Sequence, residues 1–425
     1  MVTGTLAIYH RLRQWWIRVT AVVSGAILFI AFLLTLTSWF LNPSTEEPQS
    51  LIPSGSNLVD LTLIRNADEK GAVCLDGSRP GYHLQRGFGS GSDSWVLHLE
   101  SGGWCDSADS CSYRQGTPLG SSHYMELQAS FVGILSQAPS ENPDFYNWNR
   151  VKIRYCDGAS FSGDTEVQAK SGRKLFFRGQ RIWEAIMEEL LSEGLGKAKQ
   201  AFLTGCSAGG LAIYIHCDSF RALMPKEANV KCLGDASFFL DVKDVSGKRT
   251  MQSFYKEVVR LQNVGKNLPA DCTKRTEPSQ CFFPHELIKT IKTPLFILNS
   301  AYDYWQIQNV LVPEDSDPRG HWLRCKKNIH NCHPNQIEIL QGFRTSLLHT
   351  LSEFQHKKDA GMFINSCFVH CQTMSNVTWH SPKSPKINNR TIAEAVGDWY
   401  FGRREAIYVD CPYPCNPTCY HRNFN

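Results

Sequence analysis

Gly205-Cys206-Ser207-Ala208-Gly209-Gly210 carries the spacing G-x-S-x-G between two apolar runs, residues 201–203 and 211–215. A strand that turns sharply into a helix holds the middle serine in a strained backbone conformation, and glycines on either side remove the clashes. The hydroxyl then projects beside the positive end of the following helix, which favours a developing oxyanion. In that setting Ser207 is a nucleophile for acyl transfer. The rival readings are a plain glycine turn or a phosphate-binding loop, and the latter would lack its lysine here. Cys206 offers a thiol beside the serine. Only the middle residue of an elbow faces substrate, so Cys206 is expected to pack as a small buried hydrophobe.

A serine hydroxyl needs a base, and the base needs an acid to hold its tautomer. On a strand–elbow–helix frame the chain order is serine, acid, histidine. The apolar run 294–298 is followed by Asn299-Ser300-Ala301-Tyr302-Asp303, and the run 362–364 by Asn365-Ser366-Cys367-Phe368-Val369-His370. Each places its last residue just past a late strand, so Asp303 and His370 are the expected acid and base. Asp235 and Asp241 are rival acids, and His321, His330, His333 and His349 are rival bases. Glu100-Ser101-Gly102-Gly103-Trp104-Cys105 follows the apolar run 95–99. A glycine-rich turn after an early strand can bring backbone N–H groups onto a substrate oxygen. Gly103, Trp104 and Ala208 are the expected oxyanion donors.

These groups need a frame. Short apolar runs at 95–99, 151–155, 201–203, 294–298 and 362–364 alternate with helical spacing at 179–191 and 211–215. Strands separated by helices predict an α/β fold with a mostly parallel central sheet flanked by helices. Residues 57–425 are read as one such domain, carrying disulfide-rich loops. Before it, residues 42–56 are rich in Pro, Ser, Gly and Glu and read as a linker. Residues 19–41 contain no charged residue, and at about 1.5 Å rise per residue they would cross a bilayer. Arg11, Arg13 and Arg18 precede them. The positive-inside rule therefore puts residues 1–18 in the cytosol and everything after 41 outside it. We expect a signal anchor there, with a cleaved signal peptide as the alternative.

Composition agrees with that placement. With 42% apolar and 20% charged residues, the 425-residue chain is neither disordered nor collagen-like. Three of its formal +4 charges are those N-terminal arginines, so the rest is near neutral and charge gives no support to a nucleic-acid partner. All sixteen cysteines lie beyond residue 41, which points to disulfides and an oxidising compartment. Local spacing suggests Cys105–Cys111, Cys272–Cys281 and Cys325–Cys332. A free Cys206 would require a second unpaired cysteine or an intermolecular bond. His330-Asn331-Cys332-His333 has a zinc-like look, but the Cys325–Cys332 disulfide is preferred and no metal or other cofactor is expected. Asn376 and Asn389 head glycosylation sequons.

Several motifs in one order resemble the plant pectin acetylesterases, which are related to Notum-type carboxylesterases. They are Gly102-Gly103-Trp104-Cys105, Tyr155-Cys156-Asp157-Gly158-Ala159-Ser160-Phe161, the Ser207 elbow, Tyr302-Asp303-Tyr304-Trp305-Gln306-Ile307, Cys367-Phe368-Val369-His370-Cys371-Gln372 and a Pro-Cys tail. Ser101 stands where many relatives have a further glycine. The resemblance implies an α/β-hydrolase-like fold, a Ser207–His370–Asp303 triad, a Cys74–Cys156 disulfide, and removal of O-acetyl groups from pectin in the cell wall. Trp104, Trp305 and Tyr82 are expected either to wall sugar rings or to be packed inside. Two other readings remain. One is a carboxylesterase acting on a lipid-modified protein, which needs a deep apolar pocket. The other is a carbohydrate-binding protein on a hydrolase frame, against which the intact triad argues.

Overall fold

Strands buried on both faces read as near-continuous apolar runs, and that is how the central sheet is built. In the computed structural model, described for residues 58–170 and 172–424, all described residues belong to one unit, Asn57–Asn425. Twelve strands lie among them in chain order: β1 (Leu58–Leu63), β2 (Gly81–Gln85), β3 (Ser94–Leu99), β4 (Gln128–Ser130), β5 (Asn149–Ile153), β6 (Thr165–Gln168), β7 (Lys174–Phe177), β8 (Gln200–Cys206), β9 (Asn229–Asp235), β10 (Leu295–Ser300), β11 (Gly361–Asn365) and β12 (Ile407–Val409). Ten form one sheet in the order β12-β11-β10-β9-β8-β3-β5-β2-β1-β4, with β6 and β7 pairing apart. From β12 to β5 every neighbour is parallel, and from β5 to β4 every neighbour is antiparallel. The antiparallel edge escapes a sequence reading because β1 alternates exposed and buried residues and has no apolar run.

Side-chain alternation splits the core into two layers. Trp95, Leu97 and Leu99 of β3 share one apolar cluster with Ala201 and Leu203 of β8 and Leu295 and Ile297 of β10. Val96, Phe202, Phe296 and Leu298 point the other way, onto Trp399 and Tyr400. Helices α1 (Ala108–Arg114), α2 (Gly179–Ser192), α3 (Ala208–Leu223), α4 (Thr250–Leu261), α5 (Pro334–Thr350) and α6 (Ile392–Tyr400) cover the sheet. In α2 one face, Ile182, Trp183, Ile186 and Leu190, is buried. The helix stops where Gly194 takes φ 119° just past its C-cap.

All sixteen cysteines are paired, in eight disulfides. Cys74–Cys156, Cys105–Cys111, Cys272–Cys281 and Cys325–Cys332 are bonded, so Cys332 is not available to a metal. Cys206 corrects the sequence reading: it is buried, but it is bonded to Cys371 rather than free. The pairing depends on the order of strands in the sheet, which spacing along the chain does not contain. Asn376 and Asn389 are both exposed. No helix among the described residues is long and apolar enough to cross a membrane. The expected tail 1–18, anchor 19–41 and linker 42–56 lie outside the described residues.

Candidate active site

Parallel strands deliver their carboxyl ends to one edge of the sheet, where open α/β folds place their ligands. Here β3, β5, β8, β9, β10 and β11 each end at that edge in a loop that carries chemistry. β8 leads into Ser207, held at φ 55° and ψ −122° and only 3% exposed, and α3 begins at the next residue. The elbow has no room for a Cβ at the two glycines that flank the serine. A Cβ on Gly205 would meet the Gly209 carbonyl, and one on Gly209 would meet the Leu99 and Glu100 carbonyls. Ser207 N–H donates to the Asp235 carbonyl at 2.9 Å, fastening the turn to the neighbouring strand.

Asp303 lies three residues past β10 and is fully buried. One carboxylate oxygen accepts the N–H groups of Trp305 and Gln306, capping a short helical turn. Both oxygens lie 2.8–2.9 Å from His370 Nδ1. This geometry fixes the proton on Nδ1 and leaves Nε2 to accept a proton. Trp305 stacks on the imidazole at 6.0 Å between centroids, and Tyr304 meets it edge-on at 5.7 Å. No hydrogen bond joins Ser207 Oγ to His370. A ring nitrogen of His370 lies within 4.8 Å of the sulfurs of Cys206 and Cys371. Catalytic hydrogen bonds commonly shorten only as the substrate complex forms. Two of the rival residues are engaged elsewhere: Asp241 pairs with Arg249, and His330 meets the Tyr413 hydroxyl.

The loop after β3 is clamped from below. Glu100 accepts from Arg154 Nε at 2.9 Å and from Tyr155 N–H, and it pairs with Lys152. The Arg114 guanidinium donates to the Gly102 carbonyl, and the Tyr155 hydroxyl donates to the Gly103 carbonyl at 2.8 Å. With the carbonyls turned down, the N–H groups of Gly103 and Trp104 find no acceptor among the described residues, and neither does that of Ala208. Ser160 couples this loop to the elbow. Its hydroxyl accepts the Trp104 indole N–H at 2.8 Å and donates to the Ala208 carbonyl at 2.7 Å. The sequence alone does not disclose this role of Ser160, because its partners are far away along the chain. Ser160→Ala leaves the buried Trp104 indole N–H unpaired. We expect a stability loss of about 1–3 kcal/mol, read by chemical denaturation, and a kcat about tenfold lower.

Tyr82 is buried, with its hydroxyl on Glu189, and walls nothing near the site. Trp104 is 7% exposed and packs edge-on against Phe239, Tyr255 and Trp305.

Two buried carboxyls neighbour the site. Asp235 accepts from the N–H groups of Gln372 and Thr373 and from the Thr373 hydroxyl, all on one oxygen. Asp157 accepts from Ala159 and Phe161 N–H groups. Burial outweighs these donors and pushes each carboxyl from its ordinary 3.8 up to about 6. Between these values the folded protein holds protons that the unfolded chain has lost. Their contribution to stability is therefore complete below about pH 4 and is lost as pH rises through about 6. Relative to wild type, Asp157→Asn should flatten the fall in melting temperature between pH 4 and 6, measured by calorimetry. An unchanged slope would remove Asp157 as its source.

The model of a family described as Pectinacetylesterase matches residues 53–420. Pectin acetylesterase 5 of Arabidopsis thaliana is 55% identical over 97% of this chain and 97% of its own length. The palmitoleoyl-protein carboxylesterase notum1' of Xenopus laevis is 27% identical, over 89% of this chain and 79% of its own. The solved structure of the Wnt deacylase Notum from Drosophila superposes with a TM-score of 0.71 at 25% identity, covering 85% of this chain and 99% of that one.

Proposed function

The chain belongs to the pectinacetylesterase family of carboxylic-ester hydrolases, and we propose that it removes O-acetyl groups from pectin with Ser207 as nucleophile, His370 as general base and Asp303 as its orienting acid. The observation that carries this reading is the buried Asp303 carboxylate on His370 Nδ1, beside a strained serine at the head of α3. His370 Nε2 takes the Ser207 proton as Oγ attacks the acetyl carbonyl. The N–H groups of Gly103, Trp104 and Ala208 receive the oxyanion. The sugar hydroxyl leaves with the proton from His370, and water then releases acetate from the acetyl-enzyme by the reverse sequence. None of these steps calls on a group outside the chain other than substrate and water.

The acyl-chain range follows from packing. Trp305 stacks on His370, and Trp104 and Phe239 pack edge-on against Trp305 and against each other. A fatty acyl chain would have to part these rings, whereas an acetyl methyl need not. We therefore favour acetyl esters over the long acyl group named in the Notum-type relatives. Eight disulfides suit the secretory pathway and the cell wall. The test is acetate release from acetylated homogalacturonan beside hydrolysis of p-nitrophenyl acetate and palmitate. Release from the polymer, with palmitate untouched, is the expected result. Hydrolysis of palmitate with no release from the polymer would overturn it.

A further inference from the structure

Ser207 and His370 stand at the ends of strands that are not neighbours. β9 and β10 lie between β8 and β11. Three inter-strand steps of about 4.8 Å separate the two strand axes, so the loop that carries His370 must cross back over two strands to reach the serine. Among the attachments of the crossing segment, three bear on the residues around His370. Asp303 takes the ring of His370, and Asp303 belongs to the loop after β10. Asp235 takes the N–H groups of Gln372 and Thr373, and it ends β9. Cys371 is bonded to Cys206, the last residue of β8. Only the third reaches the strand from which the nucleophile projects. It joins the residue before Ser207 to the residue after His370, closing a sequence separation of 165 residues. Cys371 takes φ 48°, an uncommon conformation for a residue with a side chain, which turns its sulfur back toward β8. Cys206 is buried, whereas Cys371 is partly exposed, so a small dithiol can reach the bond.

We propose that the Cys206–Cys371 cross-link is a positioning element of the esterase, setting the separation of Ser207 from His370 so that the oxidised protein is the active form. The proposal rests on the reading of Ser207 and His370 as nucleophile and base. A dithiol reductant opens the link by thiol–disulfide exchange. Two electrons and two protons pass to Cys206 and Cys371, which become thiols, and the reductant closes to its own disulfide.

The test compares Cys206→Ser/Cys371→Ser with Cys217→Ser/Cys232→Ser, the latter lacking a fully buried disulfide between α3 and β9. Both are assayed for acetate release well below their melting transitions. The first variant is expected to lose about 10²-fold in kcat at unchanged KM, the cost of a small misplacement of reacting groups. The control should lose thermal stability and keep kcat. If the first variant does not fold, wild-type enzyme is titrated with dithiothreitol and its opened cysteines are alkylated and mapped by mass spectrometry. Activity should fall in step with modification of Cys206 and Cys371, and return when the unalkylated reduced enzyme is reoxidised. Full kcat in the first variant, or in enzyme alkylated at both cysteines, would overturn the proposal. Ser207→Ala runs in parallel. If it is inactive while the opened enzyme keeps its kcat, the proposal alone falls. If Ser207→Ala still releases acetate, the reading beneath the proposal falls with it.

Discussion

Replacing Ser207 by alanine is expected to lower kcat for acetate release by about 10⁵–10⁶-fold. Nothing in the fold depends on its hydroxyl. The turn is held by the Ser207 backbone N–H on the Asp235 carbonyl and by glycines whose neighbours leave no room for Cβ atoms. Alanine at φ 55° carries the same Cβ strain as serine, so the melting temperature should barely move. The N–H groups of Gly103, Trp104 and Ala208 stay in place. A residual rate of about 10³–10⁴ over water is therefore expected from oxyanion stabilisation and binding alone. Initial-rate kinetics on acetylated homogalacturonan check this. A loss of less than tenfold in the folded variant would exclude Ser207 as nucleophile.

Asp303→Asn is expected to cost about 10⁴-fold in kcat at neutral pH. The asparagine carbonyl can still cap the turn at Trp305 and Gln306, so the fold should persist. Its amide group, however, presents N–H to His370 Nδ1 where the carboxylate accepted a hydrogen bond. The imidazole then carries its proton on Nε2 and cannot take one from Ser207. NMR of the imidazole nitrogens reads this tautomer directly, and kcat reads its consequence. An Asp303→Asn enzyme of near-normal rate would show that His370 does not depend on this carboxylate.

The parts of the site that could be read in the sequence are those whose geometry is local. A strand, a tight turn and a helix lie next to one another in the chain, so the Ser207 elbow is visible in a handful of residues. Asp303 and His370 needed one further rule, that acid and base follow later strands in chain order, and both strands are continuous apolar runs. The parallel core was legible for the same reason. What stayed hidden depends on sheet order. Cys206 and Cys371 meet because the loop after β11 doubles back across β10 and β9, and no spacing rule carries that path. Ser160, Arg114 and Tyr155 shape the loop after β3 through contacts with residues far along the chain. Asp235 ranked as a rival acid because it also ends a strand. It grips the backbone beyond His370 rather than its ring.

The proposed mechanism turns on a covalent acetyl-enzyme at Ser207. The most direct test is rapid acid quench of enzyme turning over acetylated substrate, followed by peptide mapping by mass spectrometry. An acetyl group is expected on the peptide containing Ser207, present in turnover samples and absent when His370 or Ser207 is replaced by alanine. Acetate release at full rate with no acetyl on Ser207 at any quench time, or with the acetyl on another residue, would contradict it.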